Sequence, residues 1–240
     1  MAAHLPPGWK PAAWPVVDRM YSVIVGGTKP GERLRRFHIV YSDAFRLARE
    51  RELEPALAAL EVDIRHQVSA MAPRRVFVHA GVVGWRGRAI VIPGRTFTGK
   101  TTMVAALVRA GATYYSDEFA VLDPRGRVHP FAKPLSIRRD GTYVGDDIAV
   151  AELGGRAGSR PLPVGLVAVA PYKANGRWRP RRLARAEGAL ALLENAVPAR
   201  LDPSRVVSTL SRAVASATIL KGSRGEADGI AEALLARAEW

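Results

Sequence analysis

The chain has 240 residues, of which 48% are hydrophobic and 24% charged, enough for one substantial α/β domain or a domain with an appendage. No apolar run reaches the ~18 residues of a membrane span, and the N-terminal segment lacks the basic and apolar regions of a secretion signal. With no cysteine there can be no disulfide, thiolate metal site or cysteine nucleophile. The formal net charge is +14, and thirty of the thirty-six basic residues are arginine, with short clusters at Arg33–Arg36 and Arg177–Arg182. No helix-turn-helix, zinc-finger or RNA-recognition pattern accompanies that charge, so nucleic acid is not the expected partner. The Arg177–Arg182 cluster reads as a solvated basic loop, with docking of an acidic substrate as the alternative.

In chain order, residues 1–18 are rich in proline, alanine and tryptophan and read as irregular. Tyr21–Val25 and Phe37–Tyr41 read as strands. From Asp43 to Met71 the pattern turns helical, with Leu53, Leu57, Leu60, Ile64 and Val68 on one face and Pro55 at a first turn or a break. Residues 1–72 therefore form a strand-hairpin and helix region ahead of a larger domain at 73–240. In that domain Val76–Val83 is a strand, residues 85–88 a turn, and Ala89–Ile92 a second, buried strand. A glycine-rich loop and a helix at 102–109 follow. Strands are expected at Thr113–Tyr115, Phe119–Leu122, Val128–Phe131 and Leu135–Ile137, with turn chemistry at Asp123–Gly126. Residues 140–163 read as a loop and Val164–Ala170 as a buried strand. Helices are expected at 186–197, 203–215 and 226–238, with a strand near 217–221. The fold class is α/β, a mixed sheet with flanking helices.

The loop carries the most specific signal. Gly94, Arg95, Thr96, Phe97, Thr98, Gly99, Lys100 and Thr101 match the phosphate-cradling pattern G-x-x-x-x-G-K-[ST] at every fixed position. A strand before it and a helix after it are the context that pattern requires. Backbone N–H groups of the loop and of the first helical turn, Thr102 included, point at phosphates, and the helix dipole favours anions there. Lys100 reaches the β- and γ-phosphates, and the Thr101 hydroxyl sits on Mg²⁺. The expected ligands are ATP and Mg²⁺, and the expected compartment is the cytoplasm. The later apolar strand ends at Pro171 without an acid. The acids come early, as Asp117-Glu118.

Three elements stand in register: His79-Ala80-Gly81, then Gly94–Thr101, then Asp117-Glu118. His79 precedes Lys100 by 21 residues and Asp117 follows it by 17. With these spacings the chain from Val76 to Arg138 resembles the catalytic domain of HPr kinase/phosphorylase, a P-loop group related to the nucleotide core of phosphoenolpyruvate carboxykinase. The resemblance implies transfer of the γ-phosphoryl group of Mg-ATP to a serine-type hydroxyl on a protein or peptide. It implies Asp117 as general base, His79 as the residue that orients it, and Glu118 with Thr101 at the metal. The resemblance also implies self-association into a homo-oligomer. Arg138 reads by its own chemistry as a bidentate phosphate clamp or a partner of Asp140. The family's Glu-x-Arg-Gly element has its counterpart in Ser136-Ile137-Arg138-Arg139, where serine replaces glutamate and Asp140, Asp146 or Asp147 could supply the missing carboxylate. Shorter relatives phosphorylate peptides or free amino acids, so a small-molecule kinase is the first alternative. A catalytically weak, regulatory ATP-binding protein is the second. Tyr114, Tyr115 and the five tryptophans read as packing residues.

Overall fold

The structure, a computed structural model, describes residues 4–14, 16–27, 36–95, 98–138 and 145–238. The chain divides into two compact units, Met1–Val68 and Ser69–Trp240.

In the first unit, β1 (Tyr21–Ile24), β2 (His38–Ser42) and β3 (Phe45–Glu50) form an antiparallel sheet in that order. Helix α1 (Leu53–Met71) begins here, with Pro55 in its first turn, where a missing N–H costs nothing. Val40, Ala56, Leu57 and Leu60 form the buried core, joined by Tyr21, Val23 and Leu47. The Tyr21 hydroxyl donates to Asp63 on the helix at 2.8 Å. The helical reading of residues 43–52 is corrected by β3. Asp43 takes a positive φ of 50° and turns the chain back, so residues 45–50 pair with β2 instead of continuing into the helix.

The second unit is built on an eight-stranded mixed sheet. Its strands are β4 (Val76–Trp85), β5 (Arg88–Pro93), β6 (Thr113–Ser116), β7 (Phe119–Leu122), β8 (Arg127–His129), β11 (Leu162–Val169), β12 (Arg181–Arg182) and β13 (Thr218–Lys221). A separate hairpin joins β9 (Leu135–Arg138) to β10 (Gly145–Ile148). The main order is β12-β13-β11-β5-β4-β7-β8, with β6 also on β4 and β8 closing onto the start of β11. β11 runs parallel to β5 and to β13, and β4 runs antiparallel to β5, β6 and β7. The β4–β5 turn is Arg86-Gly87, both at positive φ (45° and 79°), the two-residue geometry that matches strand twist.

Helices cover both faces of this sheet, α2 (Lys100–Arg109) and α5 (Asp228–Ala236) on one, α3 (Arg185–Leu193) and α4 (Pro203–Val214) on the other. The strands supply both cores by alternation. On β5, Ile90 and Ile92 face α2 and α5, while Ala89 and Val91 face α3 and α4. On β11 a register shift between Val164 and Leu166 lets Val164 and Val167 share one face.

Three further expectations are corrected here. Residues 145–153 carry β10 and a short 3-10 turn, so the 140–163 segment is not simply a loop. The helix expected at 186–197 stops at Leu193, and a separate 3-10 turn occupies Val197–Arg200 around Pro198, whose ring cannot continue a helix. Arg181 and Arg182 lie on a strand, paired with Lys221 and Leu220.

Candidate functional site

Strand β4 holds the site in register. One edge pairs with β5, placing Ala80 opposite Pro93, the residue before Gly94. The other edge pairs first with β6 and then with β7, and Asp117-Glu118 are the two residues in the break between those strands. The Gly94 N–H donates to the His79 carbonyl at 3.1 Å, and the Ala80 N–H donates to the Glu118 carbonyl at 3.1 Å. Neighbouring residues of one strand therefore hold both the start of the glycine-rich loop and the acidic pair. Gly81 completes the arrangement, since a Cβ there would stand 2.6 Å from Val104 Cγ2, so only glycine lets α2 lie this close to β4.

The break itself has a local cause. Ser116 Oγ accepts the N–H groups of Glu118 and Phe119 at 3.1 and 2.9 Å, a side-chain turn that ends β6 and starts β7. Asp117 is turned inward and is 5% exposed. Its Oδ2 accepts the Thr101 hydroxyl at 2.9 Å, and its Oδ1 lies 3.0 Å from the Tyr114 hydroxyl. That phenolic oxygen is also 2.9 Å from the Lys133 carbonyl, so one proton serves two acceptors. Burial first, and the adjacent Asp117 carboxylate second, push the Tyr114 phenol far above its ordinary range, which keeps it a donor. Glu118 pairs with the Lys133 ammonium at 3.4 Å.

Helix α2 starts on Gly99 at φ 75° with no side-chain cap and no acid in its first turn. Its leading N–H groups and the positive end of its dipole are thus free of the usual protein partner. The Lys100 ammonium donates to the Arg95 carbonyl at 2.6 Å, and the Thr98 hydroxyl donates to the same oxygen at 2.8 Å. Burial lowers the Lys100 pKa, an effect partly offset by the charges of Asp117 and Glu118. A further cation secures the loop from outside. Arg224, 3% exposed, donates to the carbonyls of Thr98 and Gly99 at 3.1 and 2.9 Å and to that of Gly225 at 3.1 Å. The Thr98 carbonyl thus has Arg224 as a partner, and the Gly99 carbonyl takes Arg224 in addition to the Met103 N–H at 3.1 Å.

The structure brings Gly94, Arg95, Thr98, Gly99, Lys100, Thr101 and Thr102 onto one loop and helix start, with Asp117 in contact through Thr101. Thr96 and Phe97 lie outside the described residues, as do Arg139 and Asp140. His79 is on β4, its ring 4.8 Å from that of Phe119 and its carbonyl on the loop. Arg138 lies on β9. Ser136 stands directly across the β9–β10 hairpin from Asp147. Sequence reasoning missed Tyr114, Lys133 and Arg224. The packing assignment of Tyr114 is incomplete, because its hydroxyl is bonded to Asp117. Its placement three residues before the acid was one available signal, and the glycines on either side of Ser223-Arg224 were another.

The oxygens of Thr101, Asp117 and Glu118 are the groups here that could meet a cation. Among the described residues no group of three His, Cys, Asp or Glu side chains forms a ready-made metal cage. Mg²⁺ commonly uses one or two protein oxygens together with substrate phosphates. Thr101, Asp117 and Glu118 supply oxygens of that kind next to an uncapped helix start. Among the described residues no helix is long and apolar enough to cross a membrane. No known protein family matches the chain, and no characterised protein matches it.

Proposed function

We propose that the chain is an ATP-dependent phosphotransferase of the HPr-kinase-like P-loop type, moving the γ-phosphoryl group of Mg-ATP to a serine-type hydroxyl on a protein or peptide. The observation that carries this reading is the 2.9 Å bond from Thr101 to Asp117, which joins the phosphate-loop helix to the acidic pair. In a P-loop protein the helix Ser/Thr holds the cation beside an acid from another strand, and the Thr101–Asp117 bond brings the acidic pair, with Glu118 for the cation and Asp117 for the proton, to that position.

Each residue then has a task. The uncapped first turn of α2 and the loop N–H groups bind the phosphates. Lys100 leaves the Arg95 carbonyl for the β- and γ-phosphates, exchanging a neutral acceptor for an anionic one. Thr101 turns its oxygen toward the cation while its proton stays with Asp117. Magnesium, when bound, neutralises charge on the phosphate oxygens. Asp117 has lone pairs beyond those used by Thr101 and Tyr114, and one of them accepts the proton of the acceptor hydroxyl. Tyr114 keeps that carboxylate in place. His79 holds Gly94 through its carbonyl. Glu118, whose charge Lys133 balances, would hold the cation together with Thr101. Catalysis here is positioning and charge stabilisation.

The test is transfer from γ-labelled ATP with Mg²⁺ into a cell extract split into large and small fractions, beside a Lys100→Ala control. Label in a protein or peptide, absent from the control, supports the proposal. Label confined to small molecules replaces the acceptor class with a metabolite. ATP binding without transfer in any fraction leaves a nucleotide-binding protein and sinks the enzymatic reading.

A further inference from the structure

Resting on that reading of the loop, we infer that the cleft between the loop after β11 and the start of α5 receives the purine base of the nucleotide. β11 lies beside the phosphate-loop strand β5 and β13 lies beside β11, both pairings parallel, so all three end on the same side of the sheet. In open α/β sheets, ligands bind in the crevice outside those carboxyl ends.

The two loops leaving β11 and β13 travel together beyond the sheet. Tyr172 pairs with Arg224 as a parallel bridge. The Arg224 N–H donates to the Pro171 carbonyl at 3.0 Å, and the Lys173 N–H donates back to the Arg224 carbonyl at 2.8 Å. Between these loops and α5 lies a cleft of about 360 Å³, lined by Arg177, Trp178, Glu226, Gly229, Ile230 and Ala233, among others. Small-molecule sites span about 300–1,000 Å³, so a flat heterocycle fits with room for part of the ribose.

Position and chemistry both favour the base over another ligand. Gly225 lines the cleft, and the guanidinium of the preceding residue, Arg224, holds the Thr98 and Gly99 carbonyls. One buried side chain therefore joins the cleft wall to the phosphate loop. The walls from Trp178, Ile230 and Ala233 are apolar, which suits a ring and gives no reason for a phosphate to settle there. The rim holds one cation, Arg177, and one anion, Glu226, whose Oε1 takes the Tyr172 hydroxyl at 2.8 Å. A donor and an acceptor placed together match the ring nitrogens and exocyclic amine of a purine.

The test uses the full chain and calorimetric titration with two probes, Mg-ATP and Mg-tripolyphosphate. The second keeps the phosphates and lacks the base. A Cβ on Gly229 would meet nothing within 4 Å, so Gly229→Met extends into the cleft without displacing the fold. Wild type is expected to prefer ATP by at least about tenfold, the value of one base contact on an aromatic wall. Gly229→Met should remove that preference and leave tripolyphosphate affinity unchanged, and Ala233→Leu, checked by circular dichroism, should do the same. Lys100→Ala should weaken both probes alike. If wild type binds both equally, or if both filled variants keep the preference for ATP, the base lies elsewhere and the phosphate reading survives. If wild type binds neither probe, the phosphate reading fails and takes this inference with it.

Discussion

The Thr101 hydroxyl donates to Asp117 Oδ2 at 2.9 Å, across sixteen residues of chain, so the first turn of α2 and the break between β6 and β7 act as one unit. Asp117 is buried, and a buried carboxylate is expensive unless donors meet it. Thr101→Val keeps the shape and removes one donor. It is expected to cost about 1.5–3 kcal/mol, the usual range for a hydrogen bond to a charged group, and to weaken Mg-ATP binding. Thr101→Ser should recover both. Denaturant titration and calorimetry would check this, and a variant as stable as wild type would count against the bond.

Tyr114→Phe removes the second donor on Asp117 and the partner of the Lys133 carbonyl. The expected loss is about 1–3 kcal/mol of stability. Because Tyr114 touches the carboxylate and not the loop, the phosphoryl-transfer rate should fall while Mg-ATP affinity changes little. Equal losses in both would point to a general collapse of the site.

Lys100 is a charge held where burial disfavours it. Lys100→Met should therefore raise the melting temperature of the ligand-free protein and, on the proposed function, show none of the Mg-ATP stabilisation expected of wild type. The sign follows from linkage. With the folded pKa lowered from 10.5, the unfolded chain binds more protons between the two values, so wild type gains stability as pH rises through that interval. The advantage of the variant should shrink toward pH 10.5. A melting series from neutral to alkaline pH reads this directly.

Gly99 sits at φ 75°, and a Cβ there would crowd Arg224 Nη2, at 2.4 Å. Gly99→Ala carries about 1–2 kcal/mol of left-handed backbone cost together with that clash. It should lower stability and nucleotide affinity. An alanine variant with wild-type melting and binding would mean that the Arg224 clamp yields easily.

Away from the site, Asp123 organises the turn into β8. Its Oδ1 accepts the N–H groups of Arg125 and Arg127 at 2.9 and 3.0 Å, and His129 Nε2 lies 3.0 Å from Oδ2. Burial alone would raise its pKa, but these partners outweigh it and leave the value below 3.8. A depressed carboxylate contributes stability above 3.8 that is lost as pH falls through the folded value. Asp123→Ala should melt lower than wild type at neutral pH, with the gap narrowing below about pH 4. A gap independent of pH would assign the effect to the turn alone.

Much of this fold is legible in residue order alone. The glycine-bounded loop, the strands around it and the early acidic pair are local features, written in residue type and spacing. Strands β4, β5, β7 and β11 stand out as apolar runs because both faces of the sheet are covered. β3 does not, because its residues also carry helical spacing, and the deciding event is the reversal at Asp43 and pairing with β2.

Residue type and short-range spacing set the phosphate-loop pattern, the α/β class and the identities of the residues flanking the loop, since each depends on neighbours within a few positions. Which distant groups meet those residues was settled by the way the chain folds back on itself. Arg224 reaches Thr98 and Gly99 from over a hundred residues away, Tyr114 and Thr101 share one carboxylate, and Lys133 balances Glu118. Such contacts depend on how strands order in the sheet and where loops close on each other. At Asp117 and Arg224 burial makes the contacts obligatory, because a polar group taken out of water must find its partner wherever the fold has placed it.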